Sequence, residues 1–135
     1  MKILLDSHIM LWAFEKDAPH LSDEAKNMID NPENEVYFSS VSIWELEIKR
    51  LLHPDQILYK AEQLRDLCGK SGFIELTLRS NHVEMLKTLH RSEEAPRHKD
   101  PFDKMLISQA KSEGMVFLTK DELLPHYGED CVILV

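Results

Sequence analysis

The segment KILLDSHIMLW, residues 2–12, joins the two patterns that decide the fold. Residues 2–5 form a short apolar run of strand composition, which ends at Asp6. Residues 7–15 then follow a helical pattern. A strand that leads directly into a helix is the start of a strand–helix–strand unit, so this segment predicts an α/β protein with an acid at the junction.

The same alternation continues along the chain. Further short apolar runs, typical of strands buried on both sheet faces, cover residues 35–39, 73–78, 115–119 and 131–135. Helical patterns between them cover residues 22–30, 41–52, a segment that starts after Pro54, 80–90 and 102–113. Because parallel strands need helical crossovers, this order predicts a three-layer α/β/α sandwich around a central, mostly parallel five-stranded sheet.

Length and composition predict one domain that spans residues 1–135, since nothing in the chain resembles a linker.

Asp6 and His8 interrupt the apolar N-terminal run before it reaches the length of a secretory signal. No segment has the roughly 18 apolar residues that a membrane-spanning helix needs, so we expect a cytoplasmic protein without membrane contact. Cys68 and Cys131 lie far apart without a metal or redox motif, which predicts reduced core thiols.

Position in this pattern singles out four of the 24 acidic residues. Asp6 directly follows a predicted strand, and Asp121 comes two residues after the strand that ends at Thr119. Glu45 and Asp103 instead interrupt apolar helical stripes, which predicts that they face the interior. Sites in parallel sheets form outside the carboxyl ends of the strands, where the following helices also begin. The four acids are therefore candidates for one cluster.

Each acid alone has an ordinary structural explanation. Asp6 can cap the following helix, Glu45 can pair with Lys49, and Asp103 can be a first-turn acid favoured by the helix dipole. In a cluster, unit charges about 4 Å apart repel by roughly 4 kcal/mol per pair at an effective dielectric of about 20. Such a group must take up protons or bind cations. An all-oxygen site favours Mg²⁺ or Mn²⁺ over Zn²⁺, and it typically serves phosphodiester hydrolysis.

Residues near these acids are secondary candidates. The hydroxyls of Ser7 and Thr119 can hold a water or a ligand, although capping or turn roles are the commoner use. Asp100 lies one helical turn before Asp103 and rivals Asp121 as the fourth acid, but Asp before Pro most often caps a helix. A basic run offers candidate contacts to substrate phosphates, namely Arg97, Lys99 and the nearby Lys104.

Histidine and tryptophan give weaker signals. His8 and His98 could assist at such a site, but no pairing motif supports either of them. Trp12 and Trp44 lie on helical stripes, which predicts core positions and disfavours base stacking. The net charge of −8, taken alone, disfavours a nucleic-acid partner. Because a site that gathers acids around cations looks acidic until the cations are counted, this charge excludes neither function class.

Four segments together resemble the PIN-domain nucleases, in particular the PIN toxins of the VapC type from bacterial toxin–antitoxin pairs. They are LLDSHIMLW (4–12), SVSIWELEIK (40–49), HKDPFDKMLISQA (98–110) and FLTKD (117–121), and the likeness spans essentially the whole chain. The resemblance implies a five-stranded parallel sheet, Mg²⁺ or Mn²⁺ dependence, endonucleolytic cleavage of RNA and frequent homodimers. It also implies a cognate antitoxin, whose tail commonly occupies the active-site groove with a basic residue against the carboxylates.

The resemblance carries specific residues over to the site. Asp6, Glu45 and Asp103 correspond to metal-site acids, and Asp121 follows through its FLTKD setting. Many relatives have Thr where this chain has Ser7, which is a small departure at a supporting hydroxyl.

Two other functions stay open from the residues alone. The acids can instead receive a basic peptide, in a non-enzymatic binding module with an acidic groove. A phosphoacceptor signalling domain also places acids at strand ends. It is disfavoured because the phosphoacceptor Asp should follow the third strand, where this chain has Thr77, Leu78 and Arg79.

Overall fold

The computed structural model describes all residues, 1–135, and contains one five-stranded sheet in which every pairing is parallel. The strands are β1 (Lys2–Leu5), β2 (Glu35–Ser39), β3 (Ile74–Leu76), β4 (Val116–Thr119) and β5 (Val132–Leu134). Their spatial order is β3-β2-β1-β4-β5. The predicted fold class, a helix-covered parallel sheet of five strands, is confirmed.

Six α-helices connect or follow the strands, with two short 3-10 helices at Leu86–Thr88 and Leu124–Tyr127. The α-helices are α1 (Ser7–Ala13), α2 (Asp23–Asp30), α3 (Ser40–Leu52), α4 (Ala61–Lys70), α5 (Ser80–Met85) and α6 (Pro101–Glu113). Ser22 caps α2, because its hydroxyl accepts a hydrogen bond from the Ala25 amide at 3.1 Å. Gly114 ends α6 in the left-handed conformation, with φ of 66°.

Helices cover both faces of the sheet, because side chains of β1 alternate between two cores. Ile3 and Leu5 pack in one core with side chains of α1, α2 and α4, whereas Leu4 packs in the other with side chains of α6. All three are fully buried, and each contributes about 2 kcal/mol of hydrophobic stabilisation. This double burial explains why β1 is a continuous apolar run.

The chain builds outward from β1 in two directions. It adds β2 and β3 on one side of β1, and then β4 and β5 on the other side. The order of connection therefore reverses between β1 and β4, where Leu5 pairs with Leu118. At such a switch point the segments that follow the two strands diverge and leave a crevice. Asp6 and Thr119, the residues after this pair, both lie at that crevice.

Helix α4 starts later than predicted, at Ala61 instead of directly after Pro54. Residues 54–56 form a turn, and Ile57 is buried in the core beside α1. The amide of Ala61 donates a hydrogen bond to Glu47 of α3 at 2.8 Å. A carboxylate from another helix therefore caps the start of α4, and this tertiary contact outweighs the local signal of the proline.

Helix α5 is shorter than predicted, because it ends at Met85 and a 3-10 turn replaces its last residues. Its N-terminus is capped by the ring of His82, whose Nδ1 accepts a hydrogen bond from the Arg79 amide at 2.9 Å. Ser80 and Asn81, whose side chains are of the usual capping types, lie inside the helix instead. The preceding edge strand β3 is also shorter than predicted and pairs only with β2.

The predicted core position of Trp44 is wrong. Its side chain is 57% exposed and packs edge-on against Phe102, with 4.9 Å between ring centroids.

Both cysteines are free thiols as predicted; Cys68 is fully buried and Cys131 is half-buried against the second core. None of the helices has the length and apolar character needed to cross a membrane.

Candidate active site

A pocket of about 390 Å³ lies at the carboxyl end of the sheet, beside the crevice between β1 and β4. The four acids selected from the sequence all line it, together with Asp100. The complete lining is Asp6, His8, Trp12, Glu45, Lys49, Asp100, Asp103, Lys120 and Asp121. Residues separated by more than 100 positions therefore share one cavity with a strong excess of carboxylates.

Asp6 is fixed from two directions at the junction of β1 and α1. Its Oδ1 accepts a hydrogen bond from the Ser7 amide at 2.7 Å, which is a helix-cap contact. Its Oδ2 accepts a hydrogen bond from the Thr119 hydroxyl at 2.6 Å. The capping role and the pocket position are therefore compatible, since each carboxylate oxygen keeps a lone pair for a ligand.

Glu45 is held against the start of α1, on the buried face of α3. The Ser7 hydroxyl lies 2.8 Å from Oε1 of Glu45 and 2.9 Å from the hydroxyl of Ser42. Lys49 contacts Oε2 of Glu45 at 3.0 Å, so the predicted pairing is present. Ser7 thus connects two of the acids, with its amide on Asp6 and its hydroxyl on Glu45.

Asp100 and Asp103 have different places at the start of α6. Asp100 is the N-cap, because its Oδ1 accepts hydrogen bonds from the amides of Phe102 at 2.9 Å and of Asp103 at 3.3 Å. Asp103 lies in the first turn, and its carboxylate is 3.1 Å from Nε2 of His98. Asp100 therefore has the predicted cap contact and also borders the pocket.

Asp121 reaches the pocket through the turn that follows β4. Its amide donates to the Thr119 hydroxyl at 3.0 Å, and its Oδ1 accepts from the Leu123 amide at 2.9 Å. Thr119 thereby connects Asp121 to Asp6. Ligating atoms of Asp121, Asp103 and His98 all lie within 4.8 Å of one another, which is close enough for one cation to reach all three.

The pocket destabilises negative charge on its acids. Burial raises the pKa of Asp103 to about 8, and the carboxylates of Asp6, Asp100, Glu45 and Asp121 add to this effect. Burial also raises the pKa of Asp6, although its hydrogen bonds from Thr119 and Ser7 work in the opposite direction. A protonated or cation-bound pocket is therefore favoured over a bare cluster of charges.

The basic residues at the pocket are not the ones that the sequence suggested. Arg97 and Lys99 are exposed on the loop before α6, and neither they nor Lys104 line the pocket. Lys49 and Lys120 line it instead. The place of Lys120 beside Asp121 is a sequence signal for its pocket position, whereas the spacing of Lys49 from Glu45 indicates only an ion pair.

Trp12 takes its predicted core position only in part, because it packs against the core that contains Ile3 and Leu5 but also borders the pocket. It is half-buried and forms part of the pocket wall, and its ring lies against His20 at 5.5 Å and His8 at 5.7 Å between centroids. The ammonium of Lys120 is 5.7 Å from the ring centroid. A helical apolar stripe does not distinguish a core tryptophan from one at the end of the stripe beside a site.

Comparison with known proteins places this architecture in a family. The family model described as PIN domain matches residues 3–130. Among solved structures, one with 17% sequence identity matches with a TM-score of 0.63, over 100% of this chain and 98% of that chain. It is a crystal structure of VapBC2 from Rickettsia felis bound to a DNA fragment from their promoter, and the likeness shows a shared fold. No curated protein matches this chain. On the match to residues 3–130, the chain belongs to the PIN domain family.

Proposed function

We propose that residues 1–135 form one PIN-like nuclease domain, a Mg²⁺- or Mn²⁺-dependent endoribonuclease that hydrolyses RNA phosphodiester bonds. Membership in the PIN domain family implies nuclease activity. The observation that carries the proposal is the convergence of Asp6, Glu45, Asp103 and Asp121 on one pocket. We further propose that the chain is the toxin of a type II toxin–antitoxin pair.

The chemistry of the pocket fits a hard divalent cation. Carboxylates dominate its ligating groups, because five acids line it with one imidazole, that of His8, and with two lysines and no cysteine. Burial raises the pKa of Asp103 to about 8, and the neighbouring carboxylates add to this effect, so a bound cation would offset the cost of ionising Asp103. Mg²⁺ and Mn²⁺ prefer oxygen ligands of this kind. Asp6, Glu45, Asp103 and Asp121 would hold the cation.

The protein's own residues organise this site before any ligand arrives. Ser7 and Thr119 fix the carboxylate of Asp6, while Ser7 and Lys49 fix that of Glu45. A bound divalent cation supplies water activation and neutralises charge on the leaving oxygen. Lys49 and Lys120 line the pocket, and their ammonium groups can bind phosphates of RNA.

A cognate antitoxin is the proposed protein partner. The similar structure is a VapBC2 assembly with promoter DNA, which supports a partner of this kind for the present chain. The same acidic pocket would accept a basic side chain of that partner in place of a cation. We also propose a homodimer. The exposed apolar side chains of Trp44, Leu51 and Leu52 on α3 support it, because stable interfaces bury such groups.

A non-enzymatic binding module is the second candidate function. It is favoured by the same observation, since uncompensated carboxylates attract an arginine or lysine of a peptide as well as a metal ion. This function predicts that the wild-type protein has neither cation binding nor nuclease activity while it remains folded.

The test is incubation of purified protein with total cellular RNA, with and without Mn²⁺, followed by mapping of the cut ends. We expect cleavage that requires Mn²⁺ and is lost in Asp6→Asn and Asp121→Asn. Asp66→Asn is the matched control, because Asp66 is an exposed acid of α4 that pairs with Lys70. Equal cleavage by the two pocket variants and the wild type would contradict the proposed active site. Absence of both cleavage and a Mn²⁺-induced thermal shift in folded wild type would favour the binding module.

A further inference from the structure

His98 joins the loop before α6 to the 3-10 helix after β4 (Leu124–Tyr127) at the edge of the pocket. Its Nε2 lies 3.1 Å from Oδ2 of Asp103, and its Nδ1 lies 2.7 Å from the hydroxyl oxygen of Tyr127. We propose that His98 is a positioning residue, held in one tautomer by Tyr127, that orients the Asp103 carboxylate for a divalent cation. This inference rests on the proposed function, because it takes Asp103 to be a cation ligand.

The hydrogens of this chain of three residues have one consistent arrangement when Asp103 is ionised and His98 is neutral. A carboxylate can only accept, so Nε2 of His98 must carry the proton that it donates to Asp103. In the neutral ring Nδ1 is then an acceptor, and the Tyr127 hydroxyl donates to it. The phenol thereby selects the tautomer, and the tautomer selects the orientation of the carboxylate.

The position of Tyr127 is itself well determined. The Arg91 guanidinium lies 4.8 Å from the centroid of the Tyr127 ring and donates to the Leu123 carbonyl at 2.6 Å. It also donates to the Pro96 carbonyl, on the loop that carries His98. The rings of His98 and Tyr127 pack at 90° with 5.5 Å between centroids. Arg91 therefore contacts both the segment that carries His98 and the segment that leads into the 3-10 helix of Tyr127.

The consequence for the pocket is a carboxylate with one engaged oxygen and one available oxygen. His98 occupies Oδ2 of Asp103, whereas Oδ1 has no hydrogen bond from the protein. The His98 side chain is only 4% exposed, so solvent does not replace this contact readily. A simple packing role for the ring would need neither a donor at Nε2 nor a partner at Nδ1, and this difference can be measured.

The experiment compares Mn²⁺ affinity by calorimetry in His98→Leu, His98→Gln and Tyr127→Phe with the wild type. His98→Leu keeps apolar bulk without a donor, and we expect Mn²⁺ affinity to fall by about tenfold or more. His98→Gln places an amide donor near the position of Nε2, and we expect it to recover most of that loss. Tyr127→Phe removes a single oxygen and should have an intermediate effect. Circular dichroism verifies that each variant is folded.

Wild-type affinity in His98→Leu would overturn the proposal, as would a loss in His98→Gln equal to that in His98→Leu. A second readout does not depend on metal or on RNA cleavage. Long-range ¹H–¹⁵N spectra of the metal-free protein, above the pKa of Asp103, should show His98 protonated at Nε2 and a weaker tautomer preference in Tyr127→Phe. A ring protonated at Nδ1 would overturn the proposal. A protein that shows the expected tautomer and affinities but cleaves no RNA would contradict only the proposed function.

Discussion

The molecule buries polar side chains in two regions. In one region each buried polar group has a partner, and in the other like charges lie close together. At one end of α5, His82 is fully buried and both ring nitrogens are satisfied, by the Arg79 amide at 2.9 Å and by Glu113 at 2.7 Å. Ser108 donates to the His82 carbonyl. At the carboxyl end of the sheet, by contrast, Asp6, Glu45 and Asp103 are buried among further carboxylates.

The two regions have opposite effects on the stability of the fold. Polar burial around His82 connects donors to acceptors and stabilises the packing of α5 against α6. Polar burial in the pocket brings like charges together, raises the pKa of Asp103 to about 8 and leaves negative charge without a protein partner. Groups that cost stability concentrate at functional sites, so the contrast supports the proposal that the pocket is the active site.

The largest effect should come from removing a pocket charge. Asp103→Asn keeps the shape of a protonated aspartate but removes a cation ligand, so we expect RNA cleavage to fall by roughly 1,000-fold, or about 4 kcal/mol of transition-state stabilisation. The rate of cleavage of a defined RNA measures this. The control is Asp66→Asn, and unchanged cleavage in Asp103→Asn would remove the distinction between the two regions.

The same charge should make the metal-free protein less stable as the pH rises. Between the ordinary pKa of 3.8 and about 8, folded Asp103 retains a proton that the unfolded chain releases. Raising the pH through this window therefore destabilises the fold, by about 3 kcal/mol between roughly pH 5 and pH 8. Urea unfolding without metal measures the effect, and Asp103→Asn should show a much flatter pH dependence. Identical slopes for the two proteins would contradict the assignment.

Disruption of the other region should change stability alone. His82→Leu leaves the Arg79 amide without its partner and removes the contact to Glu113, so we expect the free energy of unfolding to fall by about 2 kcal/mol. Mn²⁺ affinity should stay at the wild-type value, because the His82 network shares no hydrogen bond with the pocket acids. A loss of Mn²⁺ affinity comparable to that of Asp103→Asn would show that the regions are coupled.

The smallest effect should come from the lysines that face the substrate. Lys120→Met removes one ammonium at the pocket, and we expect the KM for RNA to rise about fivefold with little change in kcat, or about 1 kcal/mol. Lys99→Met tests the phosphate contact predicted from the sequence, and its effect should be smaller because Lys99 does not line the pocket. A larger rise in KM for Lys99→Met than for Lys120→Met would instead indicate that RNA binds along the basic run before α6.

Much of the fold was predictable because its signals are local. The bounds of β1 and β2 match the prediction, since each is an apolar run that ends at a polar residue where a helix starts. The start of α4 was not predictable, because Glu47 of another helix caps it. The cap of α5 uses the ring of His82, a residue type that is not a usual cap signal.

The site shows the same division between local and distant information. The four acids could be selected one by one from their places after strands or within apolar stripes, and the structure brings them to one pocket. The contact of His98 with Tyr127 joins residues 29 positions apart, and no spacing in the chain indicates it. The two tryptophans also show that a helical stripe does not reveal how far burial extends along it.

The most direct test of the central claim is a calorimetric titration with Mn²⁺ near pH 7 in buffers of different ionisation enthalpy. Because the pKa of Asp103 is about 8, cation binding at the four-acid pocket should release about one proton. Asp103→Asn should lose that release together with most of the affinity. No binding by folded wild type, or binding without proton release that Asp103→Asn leaves unchanged, would contradict the claim that these acids form one cation site.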